Sequence, residues 1–276
     1  MTSRRLPVLV LQSLTGWALV GIYLFPIYWM LISGFKTQSE IFANPPTFWP
    51  KDFSFDAYDF VFRREDVLRY VRNSVYIAGP VTVIAITLAA IGSYALCRLK
   101  SRAVDACIVV ILLLQVFPEV LLATPLFIMF KSLDLLNSHW AVILATSARA
   151  VAFGLLVLRP MFRQVPIELE EAARIDGCTD FQIFYKIVIP LMRVPLIVMA
   201  MLIFAQAYGQ FVFPLTLLSD QNMQPGTVGI FGFIGAEAAD WHRVMAFSTL
   251  FVLPILILFI SLQSKIVSGL TAGALK

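Results

Sequence analysis

The stretch PIELEEAARIDGCTDFQIFYKIVIPLMRVP occupies residues 166–195, and its first half differs in kind from everything around it. Five of the ten residues from 168 to 177 are charged, yet apolar runs long enough to cross a bilayer lie on either side. The local signals are those of two short helices. Pro166 suits a first helical turn, where its missing N–H costs nothing, and Glu168, Glu170 and Glu171 suit the positive end of the helix dipole. Gly177 is a helix stop. Thr179 followed by Gln182 is a capping-box pattern and opens a second helix over 180–188, before Pro190. Leu169, Ala172 and Ala173 recur at i, i+3 and i+4 spacing. They make a small, smooth face rimmed by charge, better suited to a partner's groove than to lipid.

Outward from this loop the chain is apolar. Of 276 residues, 59% are hydrophobic and 14% charged, with a mean hydropathy of +0.84, whereas soluble domains are about 25% charged. This is the composition of an all-α membrane protein. With ~20 apolar residues needed per crossing, six spans are expected, over about 8–33, 74–96, 104–130, 140–158, 194–218 and 244–263. The first is too long for a signal-peptide core and lacks a small-x-small cleavage site, so it reads as a retained helix. Asn44-Pro45-Pro46 and Trp49-Pro50 interrupt the long loop after it. Pro80, Pro118, Pro125 and Pro214 fall inside spans, which membrane helices tolerate when neighbours satisfy the freed carbonyls. No linker marks a second domain, so residues 1–276 read as one transmembrane domain, with the charged loop over 159–193.

With the N-terminus inside, the inner segments hold twelve Lys and Arg residues and the outer ones eight, six of these in the long first loop. That bias puts both termini and the 159–193 loop on the cytoplasmic side. The net charge of +4 is scattered in short groups and forms no continuous face, so no nucleic-acid partner is expected.

The chain has no GxxxxGK[ST] run, so it carries no phosphate-cradling loop and is not itself an ATPase. His139 and His242 lie apart at outer loop ends, and Cys97, Cys107 and Cys178 show no metal or disulfide spacing. No catalytic residue and no metal ligand is expected. The candidates are polar residues inside spans, because such groups are costly in lipid and tend to face a pathway or a protein interior. These are Gln115, Glu119, Gln206, Tyr208 and Gln210, with Arg149 in the fourth span. Tyr208 beside Gln210 offers an aromatic plate and an amide, as a sugar site requires. Glu119 and Arg149 lie about 11 and 9 residues from the outer ends of their spans, or roughly 16 and 14 Å deep at ~1.5 Å per residue. A structural ion pair between them is expected.

Glu171-Ala172-Ala173, then Asp176-Gly177, then Ile189-Pro190-Leu191 resembles the EAA loop of bacterial ABC importer permeases. DWHRVMAFSTLFVLPILILFISLQSKIVSGLTAGALK, residues 240–276, and FPEVLLATPLFIMFKSLDLLN, residues 117–137, resemble the last and third spans of carbohydrate permeases of the maltose-transporter type. The likeness is to the smaller six-span partner of the permease pair, and it covers most of the chain from about Asn73 onward. It implies a MetI-like, type I importer permease fold that moves a sugar, oligosaccharide or related polyol by alternating access. The implied partners are a homologous second permease, two copies of a cytosolic ATPase that bind ATP and Mg, an extracytoplasmic solute-binding protein, and lipid.

Under that resemblance Glu168, Leu169, Glu171, Ala172, Ala173, Asp176 and Gly177 belong to the ATPase-coupling helix, and the tail over 269–276 approaches the same ATPase pair. Gln224, Pro225 and Gly226, in the outer loop SDQNMQPGTVGIFGFIGAEAAD over 219–240, are expected to meet the solute-binding protein. The chain departs from the family pattern at Cys178, where Ala is common, and at Ala152, where Pro precedes Phe. It also has Tyr208-Gly209-Gln210 in place of a Trp-Asn-acid run, a change that bears on solute choice. Two alternatives stand beside this reading: an ABC permease for a phosphorylated polyol or a peptide, and an ion-coupled secondary transporter using Glu119.

Overall fold

The computed structural model describes the backbone of residues 5–99, 101–234 and 240–274, and the side-chain surroundings within 10–64, 66–99, 101–234 and 240–263. The fold is all-α, and no strand forms among the described residues. In chain order the helices are α1 (Arg5–Ser33), α2 (Gln38–Ile41), α3 (Asp56–Arg63), α4 (Glu65–Arg98), α5 (Arg102–Val116), α6 (Glu119–Ser132), α7 (His139–Phe162) and α8 (Ile167–Ile175). They continue as α9 (Asp180–Ile183), α10 (Ile189–Leu191), α11 (Arg193–Tyr208), α12 (Val212–Leu217), α13 (Gly226–Gly229) and α14 (Trp241–Ala274). A π-helical stretch, Phe184–Val188, joins α9 to α10.

Four helical segments are long and apolar enough to cross a membrane: Val10–Ser33, Asp66–Arg98, His139–Phe162 and Trp241–Gln263. The number rises to six if two bent pairs count as one span each. Those pairs lie at the third and fifth expected spans, and each differs from a single straight helix. The third breaks between α5 and α6 with a bend of 98°. Pro118 causes it: a residue before proline is pushed out of the α region, and Phe117 is extended at φ −69°, ψ 126°. The fifth bends by 78° ahead of α11 and stops at Tyr208 instead of running to 218. Gly209, Gln210 and Phe211 are non-helical, and α12 follows with Pro214 in its first turn, where a helix has no use for an N–H. Pro80 and Pro125, by contrast, sit inside α4 and α6.

The helices gather in two compact units, where the sequence reads as one domain: Met1–Leu68 with Gly229–Leu253, and Arg69–Val228 with Pro254–Lys276. In the first unit the loop after α1 folds on aromatic rings. Phe35 stacks on Phe53 at 4.7 Å between centroids, and the Tyr58 hydroxyl donates to Leu31 O at 2.9 Å. Lys36, 2% exposed, donates to Thr47 O and lies 4.3 Å over the Trp29 ring. Burial pushes its ammonium below the ordinary value, against the pull of Glu40. Glu40 Oε1 accepts from the Thr47 hydroxyl at 2.7 Å and from Lys51 N at 2.9 Å. Burial opposes ionisation there, but those two hydrogen bonds and the Lys36 charge outweigh it and hold the Glu40 carboxyl below its ordinary range.

The second unit is built on close contact of α4 with α7. Ala78, Ala85 and Ala89 of α4 are fully buried, and a Cβ on Gly154 would stand 2.6 Å from the Ala89 Cβ. Ser93 Oγ donates across the same seam to Leu155 O at 3.2 Å. Small residues let two helix backbones approach in this way, which is how apolar helices associate when lipid is no worse a solvent than a neighbour.

Candidate functional site

A cavity of about 340 Å³ lies in the second unit where the two broken spans meet α7. Its polar lining is Gln115 of α5, Glu119 of α6, Thr146 and Arg149 of α7, Gln206 of α11, and Gln210 of the gap before α12. Non-helical backbone at membrane depth is tolerated where it is buried in protein or lines a cavity. At the break after α5 Phe117 and Pro118 are exposed and only the flanking Gln115 and Glu119 reach the cavity, whereas the gap before α12 meets that condition, since Gly209 and Gln210 line the cavity. Arg149 secures the first: its Nε lies 3.0 Å from Glu119 Oε1, its Nη1 donates to Phe117 O at 2.9 Å, and Gln115 Nε2 donates to Arg149 O at 2.8 Å. One guanidinium thus serves the carbonyl orphaned at the end of α5 and the carboxylate in the first turn of α6. At the second break Gln210 Oε1 accepts from Phe211 N at 2.8 Å, and Thr227 Oγ1 donates to Gln210 O at 2.7 Å.

Gln115, Glu119, Gln206 and Gln210 therefore share one cavity, and Glu119 and Arg149 form an ion pair in its wall. Tyr208 does not join them. It is 1% exposed and stacks on Phe204 at 5.9 Å, so the aromatic plate expected beside Gln210 is core packing instead. Two residues from Gln210 along the chain, it lies outside the cavity lining, and Gly209 ends the helix between them. Thr146 was invisible in the sequence. A threonine in an apolar helix ordinarily satisfies its hydroxyl on the carbonyl four residues back, whereas the buried Thr146 Oγ1 has no partner among the described residues.

The charged loop forms as a helix, a turn and a second helix. Pro166 is the residue before α8, one place earlier than a first-turn position. Gly177 has φ +82°, the left-handed conformation that L side chains rarely adopt. Thr179 and Gln182 make the reciprocal capping box, at 3.3 Å and 2.9 Å. The second helix runs past residue 188, through the π-helical stretch and Pro190 to Leu191. Within that stretch the register widens, so that Ile189 N donates to Phe184 O five residues back.

The faces of α8 correct the sequence reading. Ala173 is 6% exposed and packs into its own chain beside Glu170, 1% exposed. Glu168, Glu171, Ala172 and Ile175 face outward at i, i+3, i+4 and i+7, with Leu169 44% and Ile175 88% exposed. Asp176 and Gly177 are exposed at the turn. Glu170, which the pattern of small residues passed over, is the anchor of the loop. Its Oε1 accepts from Arg98 Nε at 2.9 Å and Nη2 at 2.5 Å, its Oε2 accepts from the Tyr94 hydroxyl at 2.8 Å, and Arg98 Nη2 also reaches Val165 O at 3.0 Å. The i+3 relation of Glu170 to Ala173 was the signal that could have found it.

The outer loop is also corrected. Pro225 and Gly226 are buried and Gln224 is half-buried. Gly226 N donates to Ser74 Oγ at 3.0 Å, and Asn73 Nδ2 donates to Asn222 O and Gln224 O at 2.8 and 3.0 Å. These three residues are thus held against the chain, and Ser219, Asp220, Gln221 and Asn222 form the exposed part. Residues 235–239 lie outside the described residues, as do the side chains of the 269–276 tail, whose backbone is helical to Ala274. Among the described residues no group of three His, Cys, Asp or Glu side chains is placed to hold a metal ion.

A sequence profile of the family described as binding-protein-dependent transport system inner membrane component matches residues 70–271. The chain is 33% identical over 254 residues to the diacetylchitobiose uptake system permease protein DasC of Streptomyces coelicolor, with 91% of each chain covered. It is 32% identical over 253 residues to the sulfoquinovosyl glycerol transport system permease protein SmoH of Agrobacterium fabrum, with 92% and 89% covered. Its fold superposes with a TM-score of 0.76 on a chain of a bacterial ABC transporter involved in the import of the acidic polysaccharide alginate. That superposition covers 96% of this chain and 98% of the other, at 21% identity, and is a likeness of fold.

Proposed function

Because this chain belongs to the binding-protein-dependent transport system inner membrane component family, we propose that it is a permease subunit of an ATP-driven importer for a sugar, oligosaccharide or related polyol. The observation that carries this reading is the outward face of α8. Glu168, Glu171, Ala172 and Ile175 stand free on a helix outside the apolar spans, in a chain with no phosphate-binding loop. Energy then enters by surface contact: two copies of a cytosolic ATPase bind ATP and Mg, and α8 fills a groove on one of them. The chain itself is not an enzyme and holds no cofactor.

A homologous permease completes the pathway, and an extracytoplasmic solute-binding protein delivers the solute to it. The Lys and Arg bias supports cytoplasmic termini. Gln115, Glu119, Gln206 and Gln210 stand along the solute path, and Asp176 and Gly177 set the turn that presents the coupling helix. The carbohydrate assignment draws on relatives that take up diacetylchitobiose and sulfoquinovosyl glycerol. The pairing of Glu119 with Arg149 speaks against Glu119 as the proton or cation site of a gradient-driven transporter.

Reconstitution tests the reading. In proteoliposomes holding both permeases and the ATPase, loaded binding protein should stimulate ATP hydrolysis, and sugar uptake should persist with a protonophore. Uptake that ignores ATP and collapses with the protonophore would overturn it.

A further inference from the structure

The fold alone leaves the charge of the solute open, since one transporter that shares it imports an acidic polysaccharide. The cavity of this chain is specific on that point. Among the described residues its lining holds one cation and one anion, Arg149 and Glu119, and they are spent on each other at 3.0 Å. The remaining reach of the guanidinium goes to Phe117 O. Everything else polar in the wall is uncharged. Gln206 has no hydrogen-bond partner among the described residues, Gln210 uses its Oε1 on Phe211 N and leaves its Nε2 unengaged there, and Thr146 Oγ1 is buried without a partner.

We propose that this cavity admits uncharged polyhydroxylated solutes and rejects anionic ones, with the Glu119–Arg149 pair as the selecting element. The proposal rests on the importer reading above and narrows its substrate class to neutral sugars and polyols. Amide and hydroxyl groups each suit a guest that both donates and accepts hydrogen bonds, as a sugar hydroxyl does. An anion entering the same space gives up its hydration and meets a cation already neutralised by Glu119. It pays for desolvation without a counter-charge. Removing the carboxylate while keeping its shape reverses the logic, because Arg149 then faces the cavity uncompensated and a carboxylate guest gains a charge-assisted partner.

The test uses the assembled transporter in proteoliposomes. A Gly209→Cys reporter in the cavity lining, with Cys107→Ser and Cys178→Ser to remove the accessible thiols, is labelled with N-ethylmaleimide in the presence of glucose or sodium glucuronate. The two probes share a ring and differ by one carboxylate. Glucose should slow labelling several-fold in the parent reporter, and glucuronate should leave the rate unchanged. In Glu119→Gln, glucuronate should slow labelling several-fold at concentrations that leave the parent's rate unchanged, with glucose still slowing it as the sign of an intact fold. Glu119→Gln combined with Arg149→Gln should lose the gain. Glucuronate protecting the parent as well as glucose does would overturn the proposal, and this arm needs no charge variant to fold. So would unchanged glucuronate protection in Glu119→Gln, or no protection by either sugar. ATP-driven uptake in the same vesicles separates the two levels: if it proceeds while protection fails, the selector is wrong and the importer reading stands.

Discussion

Two arginine–carboxylate pairs in this chain look alike on paper and differ in their surroundings. Arg98 and Glu170 are 2.5 Å apart with side chains 19% and 1% exposed, whereas Arg149 and Glu119 are 3.0 Å apart with 22% and 33% exposed. Both oxygens of Glu170 are taken, by Arg98 and by the Tyr94 hydroxyl, while Glu119 keeps part of its surface on a cavity. The difference lies in the carboxylate. A fully enclosed one makes its pair a strut, here fastening the charged loop to the end of α4, and a partly open one makes its pair a wall that a guest can meet.

The largest effect should therefore come from the strut. Arg98→Ala leaves a buried carboxylate without its counter-charge, a loss of about 3–5 kcal/mol, read as a lower denaturation midpoint of the purified subunit in detergent. Gly177→Val comes next. A β-branched residue held at φ +82° should cost about 1–2 kcal/mol, and because no atom lies within 4 Å of a Cβ there, the loss is conformational and Gly177→Asn should recover much of it. Glu119→Ala, at a carboxylate one-third exposed, should cost only about 1 kcal/mol on the same assay. Equal losses for Arg98→Ala and Glu119→Ala would break the comparison.

The smallest effect is a pH dependence in the first unit. The Glu40 carboxyl is held below its ordinary range because hydrogen bonds and Lys36 outweigh the burial that opposes its ionisation. A depressed carboxyl contributes stability that is present above its unfolded value and lost as pH falls through the folded one. The thermal midpoint should fall as pH drops below the ordinary glutamate value of about 4.3, and Glu40→Gln should flatten that part of the curve. An unchanged slope in the variant would remove Glu40 as its source.

What the sequence revealed follows the range of the physics involved. Hydropathy located the apolar spans, and the depth of Glu119 and Arg149 along neighbouring spans was enough to pair them. Gly177 and the Thr179–Gln182 capping box are local chemistry, and both form. The errors came where one residue changes the outcome. Pro118 read as a tolerated kink, but with Phe117 extended it ends one helix and starts another. A helix turns about 100° per residue, so of the face expected to meet a partner Leu169 and Ala172 are exposed, while Ala173 turns into its own chain beside Glu170. Gln224, Pro225 and Gly226 looked like a free loop because nothing nearby in sequence announces Asn73 and Ser74, some 150 residues earlier.

The central claim is that α8 carries the energy of a partner ATPase into this chain, and Glu171 tests it most directly. Glu171 is exposed and, unlike Glu170, has no ion-pair partner among the described residues, so Glu171→Lys should leave the stability of the subunit within about 0.5 kcal/mol. At a charge-paired interface the same change should cost about 2–5 kcal/mol. The measurement is substrate-stimulated ATP hydrolysis by the reconstituted complex, parent against Glu171→Lys, with insertion of the subunit verified in both. Loss of stimulation with normal insertion is the result predicted; assembly and stimulated hydrolysis at the parental rate would contradict the account.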